Sequence, residues 1–256
     1  MEIWQWILLF SAAFTAGFVD AVIGGGGLIQ LPAIMFSMPG KELPVVFGTN
    51  KFAGFSGTLV ATFRYLRRTQ IRGSVIVPAI VTAIPSAFFG AYTVKGLNKE
   101  ILNPVILVLF VSVAVYTFIK KDFGLNQPKK HSARKIFFLS CLTGLIIGFY
   151  DGFFGPGTGS FLVFIYIFLF GFEFMQASAH AKVVNCVTNV GALILFLSKG
   201  DINYLMAVPV AIFNIAGSFL GTHIALKKGS AFIRVFYIII VSGFAVKMAY
   251  DVIRNF

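Results

Sequence analysis

The sequence predicts an all-α membrane protein built from two inverted-topology repeats of about five membrane segments each, with short or broken helices after Gly-rich motifs. Three observations lead there. The 256-residue chain is 58% hydrophobic and 12% charged, with a mean hydropathy of +0.89, well outside the composition of soluble domains. Apolar runs such as residues 74–94, 101–119 and 231–250 are long enough to cross a hydrocarbon core of about 30 Å as helices. And GFVDAVIGGGGLIQLP at residues 17–32 returns as GFYDGFFGPGTGSFLV at 148–163, an offset of 131. Strand-like alternation is absent from the apolar runs, so helices are the spanning element.

The first repeat, residues 1–119, reads as segments 4–23, 28–39, 44–66, 75–95 and 101–119. Its first segment carries Trp4 and Trp6 at an interfacial position, and Glu2 without a basic n-region argues against a cleaved signal peptide. A basic linker at 120–135 follows, then the second repeat, 136–256, with segments 136–154, 159–170, 175–198, 203–226 and 231–253. The 131-residue offset holds without a gap from Gly17/Gly148 to Gly90/Gly221, and pairs Asp20 with Asp151, Gly24 with Gly155, Glu42 with Glu173, and Lys51 with Lys182. Internal repeats of this kind are a common way to build transporters.

The net charge of +12 would suggest nucleic acid in a soluble protein, but the basic residues sit in short gaps between apolar runs. Arg64, Arg67, Arg68 and Arg72 fill one gap, and Lys120, Lys121, Lys129, Lys130, Arg134 and Lys135 another. These read as topology determinants on the cytoplasmic side, ahead of DNA binding or a lipid-headgroup patch. The mate of the arginine-rich gap carries only Lys199 and Asp201, whereas Lys227, Lys228 and Arg234 make the later loop of repeat two the more basic one. Inversion of the second repeat puts the most basic gaps on one side, with the N-terminus outside and the linker inside. Parallel repeats with re-entrant short segments are the opposing arrangement. Cys141 and Cys186 have no metal or disulfide spacing, and no cofactor motif occurs.

The short segments after the glycines have about a dozen apolar residues, too few for a full span. Gly24, Gly25, Gly26 and Gly27, and Gly155, Pro156, Gly157 and Thr158, are therefore expected to interrupt the helical path at depth. Two broken paths at matching positions point to a transporter binding site; close helix packing on glycine is the alternative. GTNKFAG at 48–54 and AHAKVVNCVTN at 179–189 add Thr49, Asn50, Lys51, His180, Lys182, Asn185, Thr188 and Asn189. Thr49 and Asn50 read as N-caps of a helix with Lys51 in its first turn, and helix-start amides plus a lysine make an anion site. The alternative for the lysines is an internal ion pair with Asp20 and Asp151, which otherwise read as coupling groups for a proton or cation or as caps of the broken helices. Gly217, Ser218 and Gly221 form the small-residue surface on which a homodimer would rest.

The paired motifs GFVDAVIGGGGLIQLP with GTNK, and GFYDGFFGPGTGSFLVF with AHAKVVN, resemble the TauE/SafE family of bacterial membrane permeases, often called sulfite exporters. The resemblance covers nearly the whole chain. It implies a multi-pass permease of the bacterial inner membrane that moves small sulfur-containing anions, sulfite or organosulfonates, by alternating access. Asp20, the glycines 24–27, Thr49, Asn50, Lys51, Asp151, Gly155, Pro156, Gly157, Thr158, His180 and Lys182 carry over as binding-region candidates. Two other classes compete: a passive anion channel, and an intramembrane aspartyl hydrolase using Asp20 and Asp151. The hydrolase leaves the repeated lysines without a task.

Overall fold

The computed structural model describes residues 2–96, 107–108, 111–117, 119, 123–124 and 129–255. Nine of the nineteen residues of the expected segment 101–119 and much of the linker therefore lie outside the described residues. The protein is an all-helical membrane protein, and no strand occurs among the described residues. α1 spans Ile3–Ile23, started by a capping box between Glu2 and Gln5. α2 spans Gly27–Ser37, α3 Leu43–Leu66 and α4 Gly73–Tyr92, followed by a 3-10 turn at Thr93–Gly96. Helix is also present at 107–108, 111–117 and 119. In the second half, α5 spans Ala133–Phe153, α6 Thr158–Phe170 and α7 Phe174–Lys199. α8 covers Tyr204–Asn255 and is broken at Gly229, whose φ of 75° and ψ of −169° turn the chain back on itself.

α1, α4, α5, α7 and α8 are long and apolar enough to cross a membrane, while α2 and α6 are shorter apolar helices. Their outer faces show why: Ile7, Val77, Phe89, Phe138, Ile146, Ile212 and Val246 are exposed, the pattern of a bundle surrounded by lipid rather than water. α3 has the length, but its interior carries Gly48, Thr49, Asn50, Lys51 and Gly57, and these are buried against other helices. Ser132 caps α5 by accepting a hydrogen bond from the Lys135 amide, so Arg134 and Lys135 belong to its first turn.

Packing pairs the halves crosswise. α4 lies against α5 with Gly144 on Ala79, Gly148 on Ala83 and Gly152 on Ala87, so the two helices run in the same direction. α1 lies against α8 with Phe10 stacked on Phe213, and with Gly217 and Gly221 on the backbone of Phe14 and Phe18, again in the same direction. Glycine at these positions brings the two backbones together, and any Cβ would strike the facing carbonyl. Gly217 and Gly221 are thus consumed inside the protein, and Ser218 donates to the Gly57 carbonyl, so the surface expected to serve a homodimer faces inward.

These directions collect the connections at two ends. At one end, the Arg72 guanidinium lies over the Phe172 ring, the Lys129 amide donates to the Phe170 carbonyl, and the Met175 amide donates to Ser230 beside the bend at Gly229. Arg64, Arg67, Arg68, Arg72, Lys129, Lys130, Lys227 and Lys228 all belong to this end. The other end holds Glu2, Lys41, Glu42, Lys199 and Asp201, where the charges of the two signs nearly cancel.

Candidate functional site

The site forms where both helical paths break. α1 stops at Gly24, with φ 83° and its amide donating to the Asp20 carbonyl; Gly25 follows with φ 91°, and α2 restarts at Gly27. In the second half, Gly155 and Gly157 take φ values of 90° and 89° before α6 starts at Thr158. The Thr158 hydroxyl donates to the Gly155 carbonyl at 2.6 Å and Tyr150 Oη donates to the Pro156 carbonyl at 2.6 Å, which satisfies acceptors freed by the break. The two breaks touch. A Cβ on Gly24 would lie 2.3 Å from Gly159 Cα, and Ser160 Oγ donates to the Gly24 carbonyl at 3.1 Å. Gly24 is required twice over, by its left-handed backbone and by this approach.

Two buried ion pairs flank the breaks, and both join one half of the chain to the other. Lys51 Nζ on α3 is 2.6 Å from Asp151 Oδ2 on α5, and Lys182 Nζ on α7 is 3.0 Å from Asp20 Oδ2 on α1. Asp20 also accepts from the Thr58 hydroxyl at 3.0 Å. The pairs correspond by position but not by setting. The Lys182 side chain is fully buried behind Asp20, whereas Lys51 and Asp151 both line an internal cavity with about 50 Å³ of space open to water.

That cavity brings together Asp20, Gly25, Gly26, Gly27, Asn50, Lys51, Asp151, Gly155, Gly157, Thr158, Asn185 and Asn189 of the expected residues. It also includes Gly159 of the second break and Gly54 of the GTNKFAG stretch, and adds Gln30, Thr58 and Asn214, which the sequence reading missed. Gln30 and Asn214 are single carboxamides inside apolar runs, the same signal that singled out Asp20. They form a chain: Asn214 Nδ2 donates to Gln30 Oε1 at 2.6 Å, and Gln30 Nε2 donates to Asn50 Oδ1 at 3.0 Å. With its oxygen engaged, Asn50 has its amide nitrogen left to offer as a donor. On the α7 side, Asn189 Nδ2 donates to the Asn185 carbonyl at 2.7 Å.

Gly24, Pro156, Thr49, His180 and Lys182 do not line the cavity. Gly24 backs onto Gly159, and Pro156 packs on Gly27. The expected helix start at Thr49 is corrected: α3 begins at Leu43, with Glu42 at the N-cap and Pro44 in the first turn, so Thr49, Asn50 and Lys51 are interior helical residues. Their amides are engaged in the helix, and the helix starts near the lysines are instead those of α2 and α6. Thr49 Oγ1 accepts from the Asn203 amide at 3.0 Å, and His180 Nε2 accepts from the Arg72 amide at 3.1 Å. Thr49 and His180 are repeat mates, and so are Asn203 and Arg72. Each side chain therefore ties down the loop leading into α8 or α4. Thr188 donates to the Asn185 carbonyl within its own helix. No cluster of residues suited to a metal ion occurs among the described residues.

A multi-pass helical bundle with charged side chains and broken helices around an interior polar cavity has the layout of a membrane transporter. The family model of the sulfite exporter TauE/SafE proteins matches residues 9–248, and the chain belongs to that family. Among curated relatives, the probable membrane transporter protein ORF9 of Sinorhizobium sp is 32% identical over 243 residues, covering 95% of this chain and 92% of the relative. The probable membrane transporter protein YfcA of Escherichia coli K12 is 30% identical over 244 residues, covering 95% and 89%. A more distant one, the probable membrane transporter protein MJ0441 of Methanocaldococcus jannaschii, is 24% identical over 223 residues, covering 81% and 82%.

Proposed function

We propose that the protein carries a small sulfur-containing oxyanion, sulfite or an organosulfonate, across the bacterial inner membrane by alternating access, with the cavity at Lys51 as its binding site. The carrying observation is that Lys51 is the one lysine of the two buried pairs that reaches the cavity. An oxyanion entering there competes with Asp151 for the ammonium group. Asn50 and Asn185 supply further donors, and the helix starts of α2 and α6 orient their positive ends toward the same space. Buried polar groups that replace the hydration shell of an anion offset the cost of its desolvation.

In this reading residues 1–119 and 136–256 are two repeats of opposite membrane orientation. The crosswise packing supports it: α1 runs with α8 and α4 runs with α5, while the short α3–α4 connection reverses direction, so α1 and its mate α5 point opposite ways. The arginine- and lysine-rich end is then the cytoplasmic one.

The test uses purified protein in liposomes loaded in turn with sulfite, thiosulfate, taurine, sulfoacetate or acetate. Saturable flux of a sulfur oxyanion, lost in Lys51→Ala, supports the proposal. Flux that rises linearly with concentration would replace alternating access with a channel, and selective movement of acetate would overturn the substrate class.

A further inference from the structure

A second anion site lies far from the cavity, at the basic end of the bundle. We propose that the cleft between the C-terminal end of α3 and the stretch of α8 before Gly229 binds the phosphodiester headgroup of an anionic phospholipid. Arg64, Arg67, Arg68, His223 and Lys227 line this cleft of about 500 Å³ together with Phe219 and Leu226, and no carboxylate lines it.

Arg67, Arg68 and Lys227 differ from several other cations of the same end. Arg72 lies over the Phe172 ring, Lys228 lies over the Phe232 ring, and Lys129 donates to the Phe168 carbonyl and lies by that ring. Arg64 is likewise pinned, with Nη1 donating to the Phe219 carbonyl at 3.1 Å and its guanidinium carbon 3.9 Å above the Phe219 ring. This fixes one cation at the floor of the cleft, while the side chains of Arg67, Arg68 and Lys227 make no hydrogen bond, ion pair or ring contact with the described residues. Completing the dipole of α3 needs only a cation in its last turn, and Arg64 already supplies it. The three further cations repel one another beside a low-dielectric slab until an anion sits between them.

The rim decides which anion. Phe219 on the cleft wall is exposed, as are Phe63, Leu66 and Leu220 beside the lining residues on the same two helices, an apolar surface of the kind the lipid-facing helix faces show. A free oxyanion has nothing to place there, whereas a phospholipid puts its phosphate on the arginine forks and its acyl chains on the apolar surface. The helices that make the cleft also carry Lys51 and Asn214, so a lipid bound at their ends braces the wall of the central cavity.

The experiment is native mass spectrometry of the full chain in detergent, titrated with phosphatidylglycerol and with phosphatidylcholine. One phosphatidylglycerol should be retained under conditions that strip phosphatidylcholine. The variant Arg67→Gln/Arg68→Gln/Lys227→Gln should retain it roughly a hundredfold more weakly, given the contribution of each basic residue near an anionic headgroup. Arg67→Lys/Arg68→Lys keeps the charge but loses the guanidinium forks and should fall between the unaltered protein and the triple variant, whereas Lys129→Gln/Lys130→Gln should behave as the unaltered protein. Equal retention by the triple variant, or an equal loss in Lys129→Gln/Lys130→Gln, overturns the site. A parallel thermal-shift series on the unaltered protein compares dihexanoyl-phosphatidylglycerol with inorganic phosphate, and does not depend on any variant folding. Stabilisation by the lipid alone supports the proposal; equal stabilisation by phosphate overturns the lipid as occupant.

Discussion

Lys51 on α3 is held by Asp151 on α5 at 2.6 Å, so the cation that faces the cavity in the first half of the chain takes its counterion from the second. A buried pair of this kind adds little net stability, because desolvation offsets the attraction, but removing one partner strands a charge. Asp151→Ala should therefore destabilise the protein by about 3–5 kcal/mol. Lys51→Met/Asp151→Ala should recover most of that loss and still fail to bind the anion. Denaturant unfolding in micelles reads the first quantity and ligand-induced thermal shift the second. A double variant that binds sulfite normally removes Lys51 from the site.

The two lysines should separate by phenotype. Lys182 is fully buried and does not itself line the cavity, lying behind Asp20, so Lys182→Met should chiefly lower stability. Lys51→Met strands Asp151 and lowers stability too, but should in addition weaken the anion, by about 1.5–3 kcal/mol for a lost charge-assisted contact. Measuring unfolding and affinity on both variants gives the ratio; identical ratios would contradict the division of labour.

Gly24 and Gly40 share a left-handed backbone, with φ of 83° and 77°, but not a neighbourhood. A Cβ on Gly40 meets nothing within 4 Å, whereas one on Gly24 runs into Gly159. Gly40→Ala should cost about 1–2 kcal/mol of backbone strain. Gly24→Ala should add a steric clash between two backbones and abolish a monodisperse peak in detergent chromatography.

Thr49 and His180 are expected to be structural. Thr49→Val removes the acceptor for the Asn203 amide and should lower stability by about 1–3 kcal/mol, the cost of a stranded buried donor, with anion affinity unchanged. His180→Gln keeps an acceptor in reach of the Arg72 amide and should be milder than His180→Leu. Thermal unfolding with and without sulfite checks both.

Topology gives the fifth prediction. A cysteine replacing Gly200 should react with an impermeant maleimide from outside the cell, and one replacing Arg68 should react only after the membrane is opened. Reaction of both from one face would contradict opposite orientation of the repeats.

Much of this organisation was legible in the sequence. The short segment expected at 28–39 is α2 at Gly27–Ser37, and the one at 159–170 is α6 at Thr158–Phe170, because glycine and apolar length are both read locally. The segment expected at 44–66 is likewise α3 at Leu43–Leu66, but the second helix start placed at Thr49 and Asn50 was misread; both have the chemistry of caps, and only the tertiary fold tells a cap from a polar residue buried inside a membrane helix. The ion pairs were foreseeable as a type, but not which lysine meets which aspartate, since that depends on the crosswise packing of α4 with α5 and α1 with α8. Gln30 and Asn214 escaped notice because each is isolated in its own segment, and their chain exists only once α2 and α8 are brought together.

The crossed pairing also bears on how the protein is made. Asp20 emerges from the ribosome long before its partner, Lys182, which follows 162 residues later. During insertion the first half carries an aspartate and a lysine whose partners in the folded protein have not yet been synthesised, so burying them before the second half arrives carries the cost of breaking those pairs. Completion of the chain, rather than closure of either half, is then the step that commits the protein to the bilayer, and the two halves expressed as separate polypeptides should survive proteolysis only when produced together.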